Sequence, residues 1–207
     1  MDNTPHLLRT VTAAVAIAAL CTLPACSSKT PLDQAPLAGA RIGGDFTLVD
    51  KAGTPRTWVE FKGKWRVVYF GFTNCPDACP LDLQILMKGF GAFAKANPQL
   101  AATVQPIFIT IDPSRDTPAR VGEFAAAFSP RLLGLSGSPE AVAAVTKSFA
   151  VYAARGEDMP GGGYNMNHSR IAYLFDPDGK PIAVLPVDKG MKDGPDAVAA
   201  ELAKWLR

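Results

Sequence analysis

The sequence predicts an α/β protein: a mixed sheet flanked by helices, with a β-hairpin at its N-terminal side. Strand-like apolar runs alternate with segments of helical spacing from residue 65 to residue 152. Such alternation predicts parallel strands joined by right-handed crossovers. A second turn-linked strand pair near the end adds antiparallel strands. Because the 207 residues are 48% hydrophobic and only 19% charged, one packed domain is expected.

The predicted strands are short runs of β-branched and aromatic residues bounded by turn formers. Residues 46–49 and 56–61 flank Asp50-Lys51-Ala52-Gly53 and form the N-terminal hairpin. Residues 65–72, WRVVYFGF, are expected to be a central strand buried on both faces. The remaining predicted strands are 104–111, 132–135, 171–175 and 182–187, the last two forming a hairpin.

The predicted helices begin at a proline or at a capping residue. They are Pro80–Lys95 and three further helices that open at Thr117-Pro118, Ser138-Pro139 and Pro195. Gly89 and Gly91 each cost about 1 kcal/mol relative to alanine inside a helix, which predicts close packing at both. Residues 155–167, with three consecutive glycines, are predicted to form a loop.

The first 40 residues predict a leader and a tether. Residues 11–23 are an apolar run of signal-peptide length, too short for a comfortable membrane span. Leu23-Pro24-Ala25-Cys26 resembles a bacterial lipoprotein signal, in which the cysteine is acylated. We therefore expect a signal peptide at 1–25, lipidation at Cys26, a tether over 26–40 and the folded domain over 41–207.

An uncleaved N-terminal anchor is the alternative to lipidation. Both interpretations place the domain outside the cytoplasm and tie it to a membrane, and the lipoprotein signal indicates the periplasmic side of a bacterial membrane. The 21 Lys and Arg against 19 Asp and Glu give a net charge of +2 without basic runs, so a nucleic-acid partner is not expected.

Few reactive side chains remain after the leader. We expect Cys21 to be removed with the signal peptide and the thiol of Cys26 to be acylated, so Cys75 and Cys79 are the remaining thiols. His168 is the only histidine besides His6, which also lies in the leader.

Cys75 and Cys79 lie where the central strand leads into the first long helix, in the segment TNCPDACP. The positive end of the helix dipole stabilises a thiolate there, which makes it a better nucleophile and metal ligand. Residues four apart on one helical turn have Cβ atoms about 5–6 Å apart, so the two sulfurs can chelate one ion or bond to each other. A purely structural disulfide is the competing interpretation.

His168 is the expected third member of the site. A glycine-rich loop precedes it and a strand follows, which places it at the end of the sheet where functional loops gather. Two thiolates and a neutral imidazole are soft donors that suit copper, as three-coordinate Cu(I) or as Cu(II) with an added oxygen ligand. A structural zinc site would want a fourth protein ligand, and none is obvious.

Several further residues have more than one interpretation. Asp77, between the thiols, is an auxiliary oxygen ligand, a group that steers a cationic partner, a solvated loop acid or a helix N-cap. The group Asp112, Arg115 and Asp116 is interpreted as a capped strand-to-helix loop with a local ion pair; the alternative is that these residues shape the site or a docking surface. The thioethers of Met159 and Met166 are interpreted as loop residues, with copper transfer as the alternative.

Three segments resemble the signatures of the Sco/SenC family, membrane-anchored copper proteins with a thioredoxin-like fold. They are YFGFTNCPDACP (69–80), ITIDPSRDTP (109–118) and YNMNHSRIAYLFDPDG (164–179). The resemblance implies that Cys75, Cys79 and His168 bind copper. It also implies that the protein delivers copper to the dinuclear copper centre of cytochrome c oxidase, or prepares that centre by thiol chemistry.

The implied partners are the oxidase subunit that carries this centre and another periplasmic copper chaperone or thiol reductase. Asn167 stands where the family commonly has Asp before the histidine. Loss of that carboxylate predicts a less firmly oriented His168 or weaker electrostatic support for the metal.

Two function classes stay open. One is a copper metallochaperone; the other is a thiol-disulfide oxidoreductase, in which one thiolate attacks a partner disulfide and the second resolves it. Thioredoxin-like reductases use CxxC and usually a cis-proline, whereas this chain has CxxxC and no proline over 164–169. These differences favour copper. A peroxiredoxin-like peroxidase is a weaker third option, because the usual Thr and Pro around its cysteine are not cleanly reproduced.

Overall fold

The computed structural model describes residues 30–159 and 162–207. The expected signal peptide, residues 1–25, and the expected lipidation site, Cys26, lie outside the described residues. The strands are β1 Thr47–Val49, β2 Pro55–Thr57, β3 Trp65–Gly71, β4 Val104–Thr110, β5 Leu133–Leu135, β6 Ala153–Asp158, β7 Tyr164–His168, β8 Ala172–Phe175 and β9 Pro181–Leu185. The helices are α1 Ala78–Ala96, α2 Pro98–Ala102, α3 Pro118–Phe128, α4 Pro139–Ser148 and α5 Gly190–Trp205.

The central sheet has the strand order β5-β4-β3-β8-β9. Strands β3, β4 and β5 are parallel, and β8 runs antiparallel to both β3 and β9. Every residue of β3 is buried, as the WRVVYFG run predicted for a central strand. The predicted mixed sheet with flanking helices and an N-terminal hairpin is therefore confirmed.

The β1–β2 hairpin is shorter than expected. Residues 58–61, predicted as strand, form a 3₁₀ helix instead, Trp58–Phe61. A capping box between Thr57 and Glu60 starts this turn, and its two aromatic residues are buried three positions apart. The apolar side chains of this run are therefore buried by a helical turn, in which the buried positions repeat every three residues instead of every two.

The predicted loop at 155–167 is wrong for most of its length. Strand β6 pairs with β7 as a separate antiparallel hairpin, and Ala153 lies opposite His168. Its strands are polar and half-exposed, so they carry no alternating apolar pattern. The guanidinium of Arg155 lies 4.3 Å from the ring centre of Tyr164, and this contact across the hairpin supports the pairing.

The helix starts follow their capping residues. The side chain of Thr117 accepts a hydrogen bond from the N–H of Arg120, and that of Ser138 accepts one from Ala141, as predicted. Helix α1 begins at Ala78, two residues before the predicted start. Helix α5 begins at Gly190 and contains Pro195, the predicted start, in its interior.

Helices α1 and α5 pack on one another through Gly89. A Cβ atom at Gly89 would lie 2.6 Å from both the Pro195 carbonyl oxygen and the Val198 Cβ, so the helices require glycine there. A Cβ at Gly91 would meet nothing within 4 Å. The prediction of close packing is therefore confirmed at Gly89 and is wrong at Gly91.

Part of the predicted tether lies against the domain. Ala35 is buried, and the N–H of Leu37 donates to the Ile182 carbonyl of β9 at 3.1 Å. The packed chain thus extends before residue 41, while the division into tether and domain stays a prediction. Within the described ranges, no helix has the length and apolar content needed to cross a bilayer.

Candidate functional site

The two thiols lie at the carboxyl end of β3, where the chain turns into α1. Cys79 is fully buried in the first turn of α1, and Cys75 is half-buried in the loop before it. The N–H of Cys79 donates to the Cys75 sulfur at 3.3 Å. The two cysteines are not joined by a disulfide. The sulfur of Cys75, the more exposed of the two, accepts a hydrogen bond from a backbone N–H in the first turn of the helix.

The β6–β7 hairpin brings His168 to these thiols. Its Nε2 lies 3.3 Å from the Cys79 sulfur, and its Nδ1 lies 2.9 Å from the Ser169 carbonyl oxygen. A carbonyl only accepts, so Nδ1 donates to it, and Nε2 is the ring nitrogen that faces the Cys79 sulfur. Phe72 packs edge-on against the imidazole, with ring centres 5.9 Å apart.

The site gives the two thiols opposite character. Hydrogen bonds from the Cys79 side chain, from His168 and from the backbone N–H groups of Cys79 and Asp77 lower the pKa of Cys75 to about 4, against partial burial. The hydrogen bond to Cys75, together with burial, raises the pKa of Cys79 above its ordinary value. The half-buried sulfur is therefore a thiolate at neutral pH, and the buried one is a thiol that donates its hydrogen bond to Cys75.

Asp116 shapes the loop that carries Cys75. This fully buried carboxylate accepts hydrogen bonds from the Thr73 N–H at 2.9 Å, the Thr73 hydroxyl at 2.5 Å and the Thr110 hydroxyl at 2.6 Å. Arg120 adds a bond to the Thr73 hydroxyl at 2.8 Å and one to Asn74. Asp116 thus joins the end of β4 to the start of the thiol loop, whereas the interpretation favoured from the sequence was a capped loop with a local ion pair.

Arg115 attaches the histidine hairpin to the same loop after β4. It forms the predicted ion pair with buried Asp112 at 2.5 Å, and it also donates to the Tyr164 carbonyl at 2.7 Å. Its guanidinium lies 3.6 Å from the Tyr164 ring centre, and the Tyr164 hydroxyl donates to Asp112 at 2.8 Å. The expected local ion pair is confirmed, and both of its members also bond Tyr164, the first residue of β7.

A second buried carboxylate, Asp82, lies one helical turn after Cys79. It accepts a bond from the Tyr69 hydroxyl at 2.9 Å and two from Arg170, at 2.6 Å from Nη2 and 3.0 Å from Nε. Burial, with the nearby Cys79 and Asp82, raises the pKa of Tyr69. Sequence reasoning missed this group; an aspartate among the apolar residues of α1 was the available signal.

The side chains of the remaining predicted residues make none of the hydrogen bonds to the two sulfurs, although the backbone N–H of Asp77 bonds Cys75. The exposed Asp77 is the residue before α1, but its side chain makes no capping bond. Met166 packs against the core, and Met159 is 39% exposed. Asn167, next to His168, lies on the Gly156 side of the hairpin, its Nδ2 3.2 Å from the Cβ position of that glycine.

The donor set fits a soft metal by its chemistry. Thiolate and imidazole ligands suit copper, and the Cys79–His168 contact already brings one sulfur and one nitrogen together. Across residues 30–159 and 162–207, no three His, Cys, Asp or Glu side chains form a preformed metal cluster. The Cys75 sulfur is in hydrogen-bonding contact with both Cys79 and His168.

Fold and site together define a thioredoxin-like protein with two cysteines at a helix N-terminus and one histidine beside them. The family model described as SCO1/SenC matches residues 34–207, and the chain belongs to this family. The predicted family resemblance and thioredoxin-like fold are thereby confirmed. One of its members is described as belonging to the Sco family of cytochrome c oxidase assembly proteins.

Individual relatives support the assignment. A mouse (Mus musculus) protein, the mitochondrial SCO2 homolog, is 44% identical over 141 residues, which are 68% of this chain and 54% of the mouse protein. The chain thus spans about half the length of this relative. Bradyrhizobium japonicum ScoI with copper bound has a TM-score of 0.69 and 38% identity, over 80% of this chain and 99% of that one. Yeast Sco1 with copper bound has a TM-score of 0.67 and 35% identity, over 79% and 90% of the two chains.

Proposed function

We propose that this protein is a copper metallochaperone that binds one copper ion through Cys75, Cys79 and His168. Its target is the dinuclear copper centre of cytochrome c oxidase, on the subunit that carries that centre. Family membership and the copper-bound relatives support the choice of metal and target. The observation that carries the proposal is the 3.3 Å approach of His168 Nε2 to the Cys79 sulfur.

Each donor has a defined task in taking up the cargo. Cys75 is already a thiolate and half-exposed, so it meets an incoming ion first. The ion then displaces the proton of the Cys79 thiol, and that proton leaves to solvent. Cys75 turns its sulfur from the Cys79 N–H to complete a three-coordinate site, the geometry that suits Cu(I).

The remaining parts of the proposal concern location. Acylation of Cys26 would anchor the domain on the periplasmic face of a bacterial membrane, where the oxidase centre is assembled. Another periplasmic copper chaperone supplies the ion, and a thiol reductase keeps Cys75 and Cys79 reduced. Replacement of Cys26 by serine tests the anchor: the protein should then move from the membrane fraction to the soluble one, and retention in the membrane would favour an uncleaved anchor.

The experiment that tests copper binding is a Cu(I) titration of the reduced full-length chain with Cys21 and Cys26 replaced by serine. We expect one tightly held ion per chain, and a large loss of affinity in Cys75→Ala, Cys79→Ala and His168→Ala. Asp77→Asn is the matched control, since its exposed side chain makes no capping bond. Weak binding, or full affinity in the His168 variant, would contradict the proposed site.

A thiol-disulfide oxidoreductase is the second candidate, and the asymmetry of the two thiols favours it. The Cys75 thiolate attacks a partner disulfide, forms a mixed disulfide and releases one partner thiolate. Cys79, after loss of its proton, then attacks the Cys75 sulfur. The products are a Cys75–Cys79 disulfide and a second partner thiolate, so the protein loses two electrons and the partner gains them.

The two candidates differ in their need for the histidine. Reduction of a model disulfide should require both cysteines and survive His168→Ala, whereas copper retention should require all three residues. If the reduced protein exchanges rapidly with disulfides and holds copper only loosely, the oxidoreductase is the correct assignment.

A further inference from the structure

A salt bridge between the exposed Arg170 and the buried Asp82 ties the segment after His168 to the helix that carries Cys79. Asp82 is fully buried, and both of its oxygens are bonded by Arg170, at 2.6 Å and 3.0 Å. A buried carboxylate is costly unless it is paired and hydrogen-bonded, so this aspartate depends on Arg170 and on the Tyr69 hydroxyl. The planar guanidinium with two parallel bonds also fixes direction, which a single contact does not.

The Asp82–Arg170 salt bridge lies next to the Cys79–His168 contact, as the spacing of the four residues shows. Cys79 and Asp82 are three apart on α1, with Cβ atoms about 5–6 Å apart on one helical face. His168 is the last residue of β7 and Arg170 lies two positions later, in the segment that leads to β8, about 6–7 Å along an extended chain. His168 reaches Cys79 and Arg170 reaches Asp82, so two neighbouring points join the same two elements.

We propose that Arg170 is a positioning residue for His168: its two-point bridge to Asp82 holds the imidazole against Cys79. Arg170 acts through His168 and touches neither sulfur. The Tyr69 hydroxyl completes the arrangement by bonding Asp82 from β3, so the carboxylate is fixed from both sides. The competing account is that the bridge stabilises the fold as a whole and has no specific effect on the histidine.

The first test needs no metal. In the full-length chain with His6 replaced by Gln, His168 is the only imidazole, so its ring ¹H and ¹⁵N NMR signals report one residue. We expect the wild-type ring to be the Nδ1-protonated tautomer in a single environment. Arg170→Lys, which keeps the charge and loses the two-point geometry, should shift and broaden these signals. Unchanged signals would overturn the proposal.

A matched control separates position from general stability. Arg56→Lys makes the same change in another ion-paired arginine, one that bonds Asp50 and Glu60 beside the β1–β2 hairpin. It should leave the His168 signals as they are. A variant with both Asp82→Asn and Arg170→Gln removes the two charges together, so no lone charge stays buried if Arg170→Lys fails to fold. Wild-type His168 signals in that double variant would also overturn the proposal.

The second test is a double-mutant cycle on Cu(I) affinity, and it rests on the proposed function. Arg170→Lys should weaken Cu(I) binding about tenfold or more, the scale typical of residues that orient a ligand. In a His168→Ala background the same change should cost nothing further, because its effect passes through the ring. Equal losses in both backgrounds would assign the bridge to the fold alone. If wild type binds no copper, the proposed function fails, while the NMR test still decides the position of Arg170.

Discussion

His168 Nε2 lies 3.3 Å from the Cys79 sulfur, although 89 positions separate the two residues along the chain. This contact joins α1 to the end of the β6–β7 hairpin. Three separate attachments support it. Asp116 accepts a hydrogen bond from the loop before Cys75, and Arg115 donates one to the β6–β7 hairpin. Arg170, two residues after His168, donates to Asp82 on α1. The site is thus held by charged residues that are not themselves proposed ligands of the metal.

The opposite character of the thiols predicts selective alkylation. At about pH 6 the Cys75 thiolate, with its pKa of about 4, should react with iodoacetamide while Cys79 stays protonated and unmodified. Peptide mass spectrometry after a short reaction identifies the modified residue. Equal labelling of both cysteines would refute the assignment.

The same asymmetry predicts a pH profile. The Cys75 alkylation rate should be nearly constant from neutral pH down to about pH 5 and should fall as pH passes through about 4. The folded pKa lies below the ordinary thiol value, so this group stabilises the fold above that ordinary value and loses its contribution as pH falls towards 4. A midpoint near the ordinary thiol pKa, measured from the rate profile, would contradict this assignment.

Gly71→Ala should disturb the site from the end of β3. A Cβ atom there would lie 2.9 Å from the Cys79 sulfur and 3.0 Å from the Phe108 ring, so Cys79 must move. We expect about 1–3 kcal/mol lower free energy of unfolding in urea, with weaker Cu(I) binding.

Gly91→Ala is the control for this substitution, because a Cβ there meets nothing within 4 Å. The change should raise the free energy of unfolding by about 0.5–1 kcal/mol and leave Cu(I) affinity unchanged. If the two alanine variants behave alike, the packing described around Gly71 is incorrect.

Asp116→Asn should loosen the loop before Cys75. In the wild-type protein Thr73 and Thr110 donate hydrogen bonds to both carboxylate oxygens of Asp116. The amide of the variant replaces one of these acceptor oxygens with an NH₂ donor, so at least one of the bonds is lost. We expect the free energy of unfolding in urea to fall by about 1–3 kcal/mol. The exposed Asp77→Asn variant should change it by less than about 0.5 kcal/mol. A neutral Asp116 variant would show that the loop is held by other contacts.

Most of the sheet and all three proposed donors could be predicted from the sequence. The WRVVYFGF run identified the central strand, and the positions of Cys75 and His168 at strand and helix ends placed them at one edge. The β6–β7 hairpin could not be predicted, because its polar strands are stabilised by backbone pairing and by Arg155 on Tyr164. Hydropathy carries no signal of such contacts.

Asp82 was missed, and a site-shaping role for Asp116 was not the favoured interpretation, for a related reason. Asp82 and Asp116 are buried only because partners distant in sequence, Arg170 and Thr73, satisfy them. A local reading assigns both to helix surfaces or loops. Their partners become visible only when the fold brings β3, β4 and the segment after β7 to one end of the sheet.

X-ray absorption spectroscopy of the Cu(I)-loaded, reduced protein at one ion per chain tests the proposed copper site most directly. We expect a copper shell of two sulfurs and one imidazole nitrogen, with the imidazole signal lost in His168→Ala. A shell of sulfurs alone, or a wild-type spectrum that the His168 variant reproduces, would contradict a site built from Cys75, Cys79 and His168.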